Sequence, residues 1–446
     1  MYKRIFLLFS LILVVSTNTY CQTGFYFKNQ TKSKQKISFK EVNNLIVIPL
    51  IINGKKMSFI LDTGVNKTIL FNLSDNDSLK LLNTRKVSLK GLGGGDAVDA
   101  IISSRNKIEL KGLVSNSETI FVVLKDFFDL SGKMGRTIHG IIGYSLFKNF
   151  IVNINYNTKR IEFHNPEKFK YRNCKKCFST PLYFFKNKPF IKAKVSLDTI
   201  GSKLTEVTML IDTGGSDALW LFEKSKKEIQ TPKRFFNDIL GEGLSGTIYG
   251  NRSRIPEFIL GRFKFKKPTV SFLDSISTVN ARKFKDRNGS IGGGILNRFK
   301  IWIDYPNKKI TFKKNSSLKD GFNYNMSGLD IVYSGKEVIK EKILNRVNSI
   351  FNQERDDANT ISFVTSYTYK FKPSYKINKV VENSPAHKAG LKPNDKLLKL
   401  NGKLIHNFNL SDIIYKFQQR PGKKIRMIIL RNGEEMKFEF QLEKKV

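Results

Sequence analysis

Cysteine and histidine are nearly absent: 446 residues hold three of the first and four of the second. A Cys/His metal site needs several ligands at set spacings. Only Cys174 and Cys177 stand close together, and His164 is the one histidine near them, so no metal and no cofactor is expected. Acidic side chains are scarce too, 38 against 78 Lys and Arg, for a net charge of +40. The cations run along the whole chain and form no block or tail. That pattern argues against a dedicated, specific nucleic-acid arm and for a generally basic surface. Such a surface attracts anionic lipid, polysaccharide or nucleic acid at low salt. Apolar runs of membrane-spanning length are missing. Core material is abundant: 40% of residues are apolar, with 36 Phe and 15 Tyr, enough for two or three domains.

The first residues, Met1-Tyr-Lys-Arg4, precede an apolar stretch from Ile5 to Val15 and small residues at Thr19 and Cys21. This order fits a cleavable export signal, with the cut expected between Cys21 and Gln22. Asn18-Thr19-Tyr20 is a poor lipobox, which argues against lipid attachment at Cys21. The mature chain is therefore expected in the periplasm or outside the cell, the two being left open. Only Cys174 and Cys177 would then remain, and an oxidising compartment favours a small-loop disulfide between them. A redox-active dithiol is the competing reading of this Cys-Lys-Lys-Cys.

The chain repeats itself. Leu61-Asp62-Thr63-Gly64 and Ile211-Asp212-Thr213-Gly214 stand 150 residues apart, as do Gly91-Leu-Gly93 and Gly241-Glu-Gly243. Further on, the stretch from His139 to Phe150 aligns with Asn288 to Phe299 at an offset of 149. Each half reads mainly as strand. Leu45–Ile52 is apolar on both faces, Asn53-Gly54 supplies a tight turn, and Met57–Leu61 leads into Asp62. Val207–Ile211 plays the same part before Asp212. Alternating pairs close the halves, at Phe150–Tyr156 with Arg160–Phe163 and at Lys300–Tyr305 with Lys309–Phe312. Tyr144–Asn149 and Ile295–Arg298 each fit one helical turn.

One Asp-Thr-Gly is a weak signal, because Asp and Gly favour turns anyway. Two copies, each after an apolar strand and each followed by a Gly-rich hairpin and an apolar-apolar-Gly strand, resemble the aspartic peptidases over residues 40–315. Two neighbouring carboxylates cannot both ionise cheaply, so they share one proton over a wide pH range. The ionised partner takes a proton from a water while the other donates to the scissile carbonyl. Asp62 and Asp212 are the expected catalytic pair. By the resemblance, Thr63 and Thr213 cross-brace the two loops, Gly64 and Gly214 let the backbone approach closely, and Ile141-Ile142-Gly143 and Ser290-Ile291-Gly292 support them from beneath.

Gly91 to Asp96, with Gly93 and Gly94, and Gly241 to Gly246, with Gly243, look like flaps over a bound peptide. The second also satisfies G-x-G-x-x-G, but no helix pattern follows, so a dinucleotide loop fails its context. A flap in each half resembles the retroviral-type (retropepsin-like) peptidases, here fused into one chain. Val65 and Gly215 follow the triplets without a hydroxyl for the carboxylates, which implies activity extending toward neutral pH. The segment from Gly95 to His139 has no obvious partner in the second half, so unequal substrate pockets are expected.

The stretch from Asn383 to Asp395, with Ser384-Pro385-Ala386, Ala389-Gly390-Leu391 and Asn401-Gly402 beyond it, resembles a bacterial-type PDZ domain. Such domains capture a peptide C-terminus by strand addition. The resemblance places that role at Gly328, Leu329 and Asp330, with residues 335–360 read as a Lys- and Asn-rich insertion before a strand at Tyr375–Val381. The fold expected is mainly β: two duplicated acid-protease β-barrel lobes forming one active site, then a C-terminal α+β PDZ-like domain. The boundaries are a signal at 1–21, lobes at 22–165 and 183–315, a linker with the Cys pair at 166–182, and the PDZ-like domain at 322–446. The function expected is endoproteolysis of exported protein or peptide by a monomer. The alternatives are an idle scaffold that presents the PDZ module and a binder of anionic surfaces.

Overall fold

The computed structural model of the chain describes residues 24–73, 79–92, 95–123, 130–197, 203–347 and 362–446. The expected signal at 1–21, and Gly93 and Gly94 of the first expected flap, lie outside the described residues. Turn chemistry lays down the first hairpin: Leu45–Ile52 pairs antiparallel with Lys55–Leu61 across Asn53 and Gly54. Both turn residues have positive φ, 46° and 90°, which Asn-Gly adopts at little cost in a two-residue hairpin. Leu45–Ile52 is buried at nearly every position, as a strand covered on both faces must be.

The two halves are one strand arrangement built twice. In the first, neighbours run Leu113–Val123, Thr68–Leu70, Gly140–Ile142, Lys55–Leu61 and Leu45–Ile52, within a 9-stranded sheet. In the second they run Thr269–Leu273, Leu219–Phe222, Arg287–Ile291, Leu204–Ile211 and Lys188–Ser196, within a 10-stranded sheet. The segment after Gly95 follows the same plan despite its dissimilar sequence. Val98–Leu110 and Leu113–Val123 are continuous, whereas their counterparts break into Gly246–Arg254 with Glu257–Leu260 and Phe263–Lys266 with Thr269–Leu273. The breaks fall at Pro256 and Pro268, because proline has no N–H for the ladder.

A 6-stranded sheet joins the halves in the order Cys177–Pro181, Lys309–Lys314, Phe299–Asp304, Ile151–Asn155, Arg160–His164, Lys34–Ser38. Its seam is the antiparallel pairing of Ile151–Asn155 with Phe299–Asp304. Within the expected inter-lobe linker at 166–182, Cys177–Pro181 forms an edge strand of this sheet. The strand brings Phe178 over Phe312, with ring centroids 6.5 Å apart, and that aromatic burial outweighs the surrounding lysines. Just before it, Cys174 and Cys177 are joined in a disulfide. One hydrophobic cluster runs through both halves, with Phe59, Phe147, Phe163, Phe258 and Phe299 in it, and a smaller cluster of buried residues lies within each half.

The C-terminal module has its own core, including Tyr375, Ile377, Leu400, Ile413 and Phe417. Its 6-stranded sheet runs Leu329–Val347, Ser362–Val380, Lys396–Leu400, Lys424–Arg431, Glu434–Gln441, with Lys403–Leu404 paired beside Lys396–Leu400. The helix Leu410–Phe417 starts with a capping box between Asn409 and Asp412. Residues 335–360 were expected as a Lys- and Asn-rich insertion before a strand at Tyr375–Val381. Instead the two leading strands, each 19 residues, continue through 336–347 and 362–374 as a paired arm, while 348–361 lie outside the described residues. The module rests on both lobes: Phe236 packs on Tyr324 with centroids 5.3 Å apart, Arg254 Nη2 donates to the Phe322 carbonyl at 2.7 Å, and helix Leu130–Met134 lies against Leu329–Val347.

Candidate active site

Each Asp-Thr-Gly sits where a strand runs out over its parallel neighbour. Lys55–Leu61 pairs parallel with Gly140–Ile142, and Leu204–Ile211 with Arg287–Ile291. The Asp62 N–H donates to the Ile142 carbonyl at 2.8 Å and the Asp212 N–H to Ile291 at 3.0 Å. The supporting strands therefore hold the two loops at equivalent heights. Gly143 must lack a side chain, because a Cβ would lie 2.2 Å from the Asp62 carbonyl oxygen.

The threonines lock one loop to the other. Thr63 Oγ1 donates to the Ile211 carbonyl at 2.6 Å and accepts from the Thr213 N–H at 3.1 Å. Thr213 Oγ1 donates to Leu61 at 2.8 Å and accepts from the Thr63 N–H at 3.0 Å. Both residues are fully buried, so every donor and acceptor in this brace is satisfied away from water. The brace sets the aspartates face to face. Carboxylate Oδ1 of Asp62 accepts from the Gly64 N–H at 2.6 Å, and that of Asp212 from Gly214 at 3.1 Å. A Cβ on Gly64 would lie 3.0 Å from both Oδ1 atoms, and one on Gly214 only 2.2 Å from Asp62 Cγ. The two carboxyls lie close enough to act on each other's protonation.

Burial raises the Asp62 carboxyl, and the neighbouring Asp212 charge adds to it, so its pKa is pushed up to about 8. Asp212 is raised as well, by burial, while Arg287 and Lys188 pull it down. Lys188 and Arg287 were not anticipated from the sequence. Arg287 is 5% exposed, donates to Ser290 Oγ at 2.7 Å and stacks its guanidinium over Phe222 at 4.9 Å. Burial lowers it to about 10, against the pull of Asp212. Among 78 basic residues nothing marked these two. The pair keeps a route to solvent: Asp62 is 9% exposed and Asp212 is half-buried. The arrangement can hold one proton between two carboxyls beside the buried Arg287 and the half-buried Lys188.

The glycine-rich segments at Gly91 and Gly241 lie at two hairpins, Arg85–Leu89 with Val98–Leu110 and Phe236–Gly243 with Gly246–Arg254. Their tips meet. The Ser245 N–H donates to the Leu92 carbonyl at 3.0 Å, the Gly95 N–H to the Ser245 carbonyl at 2.9 Å, and the Gly91 N–H to Ser245 Oγ at 3.2 Å. Gly243 approaches so closely that a Cβ would lie 2.1 Å from the Leu92 oxygen. The second hairpin is footed on a buried ionic cluster: Arg252 bonds Asp238 at 2.7 Å and Asp217 at 3.1 Å, and Asp217 also accepts from Trp220 Nε1 at 2.8 Å. A cavity of about 620 Å³ lies away from the carboxyl pair, between the second half and the C-terminal module, beside Arg254, Tyr324, Arg420 and Lys423. Among the described residues no group of His, Cys, Asp or Glu could hold a metal ion.

In the C-terminal module, Leu329–Val347 is the end strand of its sheet. Gly328 has φ +81° and lies against Ser384, where a Cβ would come within 2.1 Å. The Leu329 N–H is bonded to Ser327 Oγ at 3.0 Å, and Asp330 accepts from Asn378 at 2.7 Å. Gly135, just past helix Leu130–Met134, sits at Leu410 at the head of helix Leu410–Phe417 (a Cβ would lie 2.9 Å from Leu410 Cβ). The first half thus stands against both the end strand and the helix.

A family model described as Aspartyl protease matches residues 48–146, and one described as PDZ domain matches residues 376–431. Two curated proteins of Bacillus subtilis (strain 168) are similar over short stretches. Carboxy-terminal processing protease CtpB is 33% identical over 63 residues, 14% of this chain and 13% of that protein. Carboxy-terminal processing protease CtpA is 34% identical over 53 residues, 12% of this chain and 11% of that one. The chain thus matches only a small fraction of these relatives' length. Residues 48–146 thus carry an aspartyl protease domain of the retropepsin-like type, and residues 376–431 a PDZ domain.

Proposed function

We propose that the chain is an aspartic endopeptidase of exported proteins or peptides, with Asp62 and Asp212 as its catalytic pair. The reciprocal threonine brace carries this reading, because it turns both carboxyls toward one another. Between its two ionisations, the upper of them at about 8, the pair holds one proton. The ionised carboxyl takes a proton from a water between them, the resulting hydroxide attacks the scissile carbonyl carbon, and the protonated carboxyl donates to its oxygen. Proton return to the leaving nitrogen completes the cleavage, and neither aspartate owns the acid role, since the pair titrates as one unit. The two flaps close over the peptide and exclude bulk water. Export through the 1–21 signal fits the disulfide at Cys174–Cys177.

For the PDZ domain, capture of a peptide C-terminus at Gly328, Leu329 and Asp330 is the first reading. A second is favoured by the seat of Gly135 at Leu410 and by the bonded Leu329 amide: a brace that holds both lobes. A casein and peptide-library digest from pH 3 to 8 tests the proposal, with Asp62→Asn and Asp212→Asn beside the parent and a statine-type inhibitor. Internal cleavage by the parent, lost by about 10²–10⁴-fold in both variants, is expected. Equal cleavage by all three sinks the mechanism, and binding without cleavage supports the idle scaffold.

A further inference from the structure

Six of the sixteen exposed large apolar side chains among the described residues lie on one element, and all but Ile343 share one of its faces. Val338, Leu344, Tyr367, Tyr369 and Phe371, at 57%, 61%, 55%, 65% and 72% exposure, all belong to the arm that extends Leu329–Val347 and Ser362–Val380. Its register sets Val338 opposite Phe371, Lys340 opposite Tyr369, Lys342 opposite Tyr367 and Leu344 opposite Thr365. Directly opposed residues share a face and alternate residues share it along a strand, so these eight form one face. Lys340 Nζ lies 4.1 Å from the Tyr367 ring centre, which the shared face requires. The acids are on the other side: Glu341 binds Lys370 at 2.8 Å and Lys372 at 2.9 Å, and Glu337 accepts from Ser374. One face is thus aromatic, aliphatic and purely cationic, while the other is neutralised by ion pairs.

We propose that this face docks the protein on an anionic lipid bilayer. Tyrosines combine an apolar ring with a polar tip and settle at the headgroup level, with phenylalanine and leucine below and lysine stems reaching back to the phosphates. A chain of net charge +40 repels a second copy of itself, which argues against self-association as the cover for this patch. The aliphatic Val338 and Leu344 at the two ends gain from hydrocarbon and nothing from stacked bases, which favours lipid over single-stranded nucleic acid. The ladder from Lys336 to Val347 is roughly 40 Å long at about 3.4 Å per residue, long enough for several headgroups to be engaged together. Docking would hold the flaps and the carboxyl pair near a membrane surface, and it does not depend on the peptidase reading.

Vesicle flotation of the chain from Gln22 onward tests this, since that form keeps every described element and lacks the apolar stretch at Ile5–Val15. Phosphatidylcholine vesicles with and without phosphatidylglycerol are the probes. Binding only to the anionic vesicles is expected. It should fall about 25-fold in Lys340→Gln/Lys342→Gln, at roughly fivefold for each lysine near the surface, and at least as much in Tyr367→Ser/Tyr369→Ser/Phe371→Ser. Unchanged circular dichroism would show that the variants remain folded. The proposal is overturned if both variants float like the parent or if neutral vesicles bind equally. It is overturned equally if an oligonucleotide binds more tightly through the same residues, or if the arm variants dissolve a dimer seen by sedimentation.

Discussion

The threonine brace concentrates four buried hydrogen bonds between two short loops, and its worth can be measured residue by residue. Thr213→Val keeps the volume but leaves the Leu61 carbonyl and the Thr63 N–H without partners. An unsatisfied buried group costs about 1–3 kcal/mol, so urea denaturation should show a loss of about 2–4 kcal/mol and activity should fall with it. Burial and the Asp212 charge hold the Asp62 proton on in the folded state. The folded chain therefore binds more protons than the unfolded one between about pH 4 and 8. This carboxyl's contribution to stability is fullest below pH 4 and is lost as pH rises through the folded value. The parent should lose melting temperature across that window faster than Asp62→Asn does. A parallel decline in both would contradict the raised carboxyl. Arg287 acts in the opposite sense on Asp212. Arg287→Met should move the acid limb of the pH–rate profile upward, whereas a purely structural arginine would lower the rate without moving that limb.

At the level of elements, the turn and period rules carried far. Asn53-Gly54, the paired closing hairpins and the helical turns at Tyr144 and Ile295 each follow from local residues, and the strands appear where those rules put them. The failures have a common cause in lysine. Cys177–Pro181 and the arm around Lys340 and Lys370 are strands among basic residues, and their pairing comes from cross-strand aromatics that a reading of polarity alone passes over. The flap tips form a contact that sequence could not place, because Leu92 and Ser245 are far apart along the chain. Gly243→Val should push the tips apart, since a Cβ there meets the Leu92 carbonyl. A rise in KM of about tenfold with an unchanged melting temperature is the expected result, as closure and not folding is disturbed.

Across the whole molecule, the duplication was the most legible feature, since three landmarks kept register between the halves. It implied two equivalent loops, and the strand orders repeat accordingly. How the halves join was not legible, because the 6-stranded seam draws strands from both ends of each half. The seat of the PDZ domain on both lobes escaped as well. Its contacts, Phe236 on Tyr324 and Arg254 on Phe322, pair residues with no motif. The account rests on a single proton shared by Asp62 and Asp212, and the pH dependence of kcat/KM on an internally quenched peptide reads it most directly. A bell whose alkaline limb falls near pH 8, with activity lost in either Asn variant, is the predicted result. A profile confined below about pH 4, the range of ordinary carboxylates, or one that the Asn variants leave intact, would contradict it.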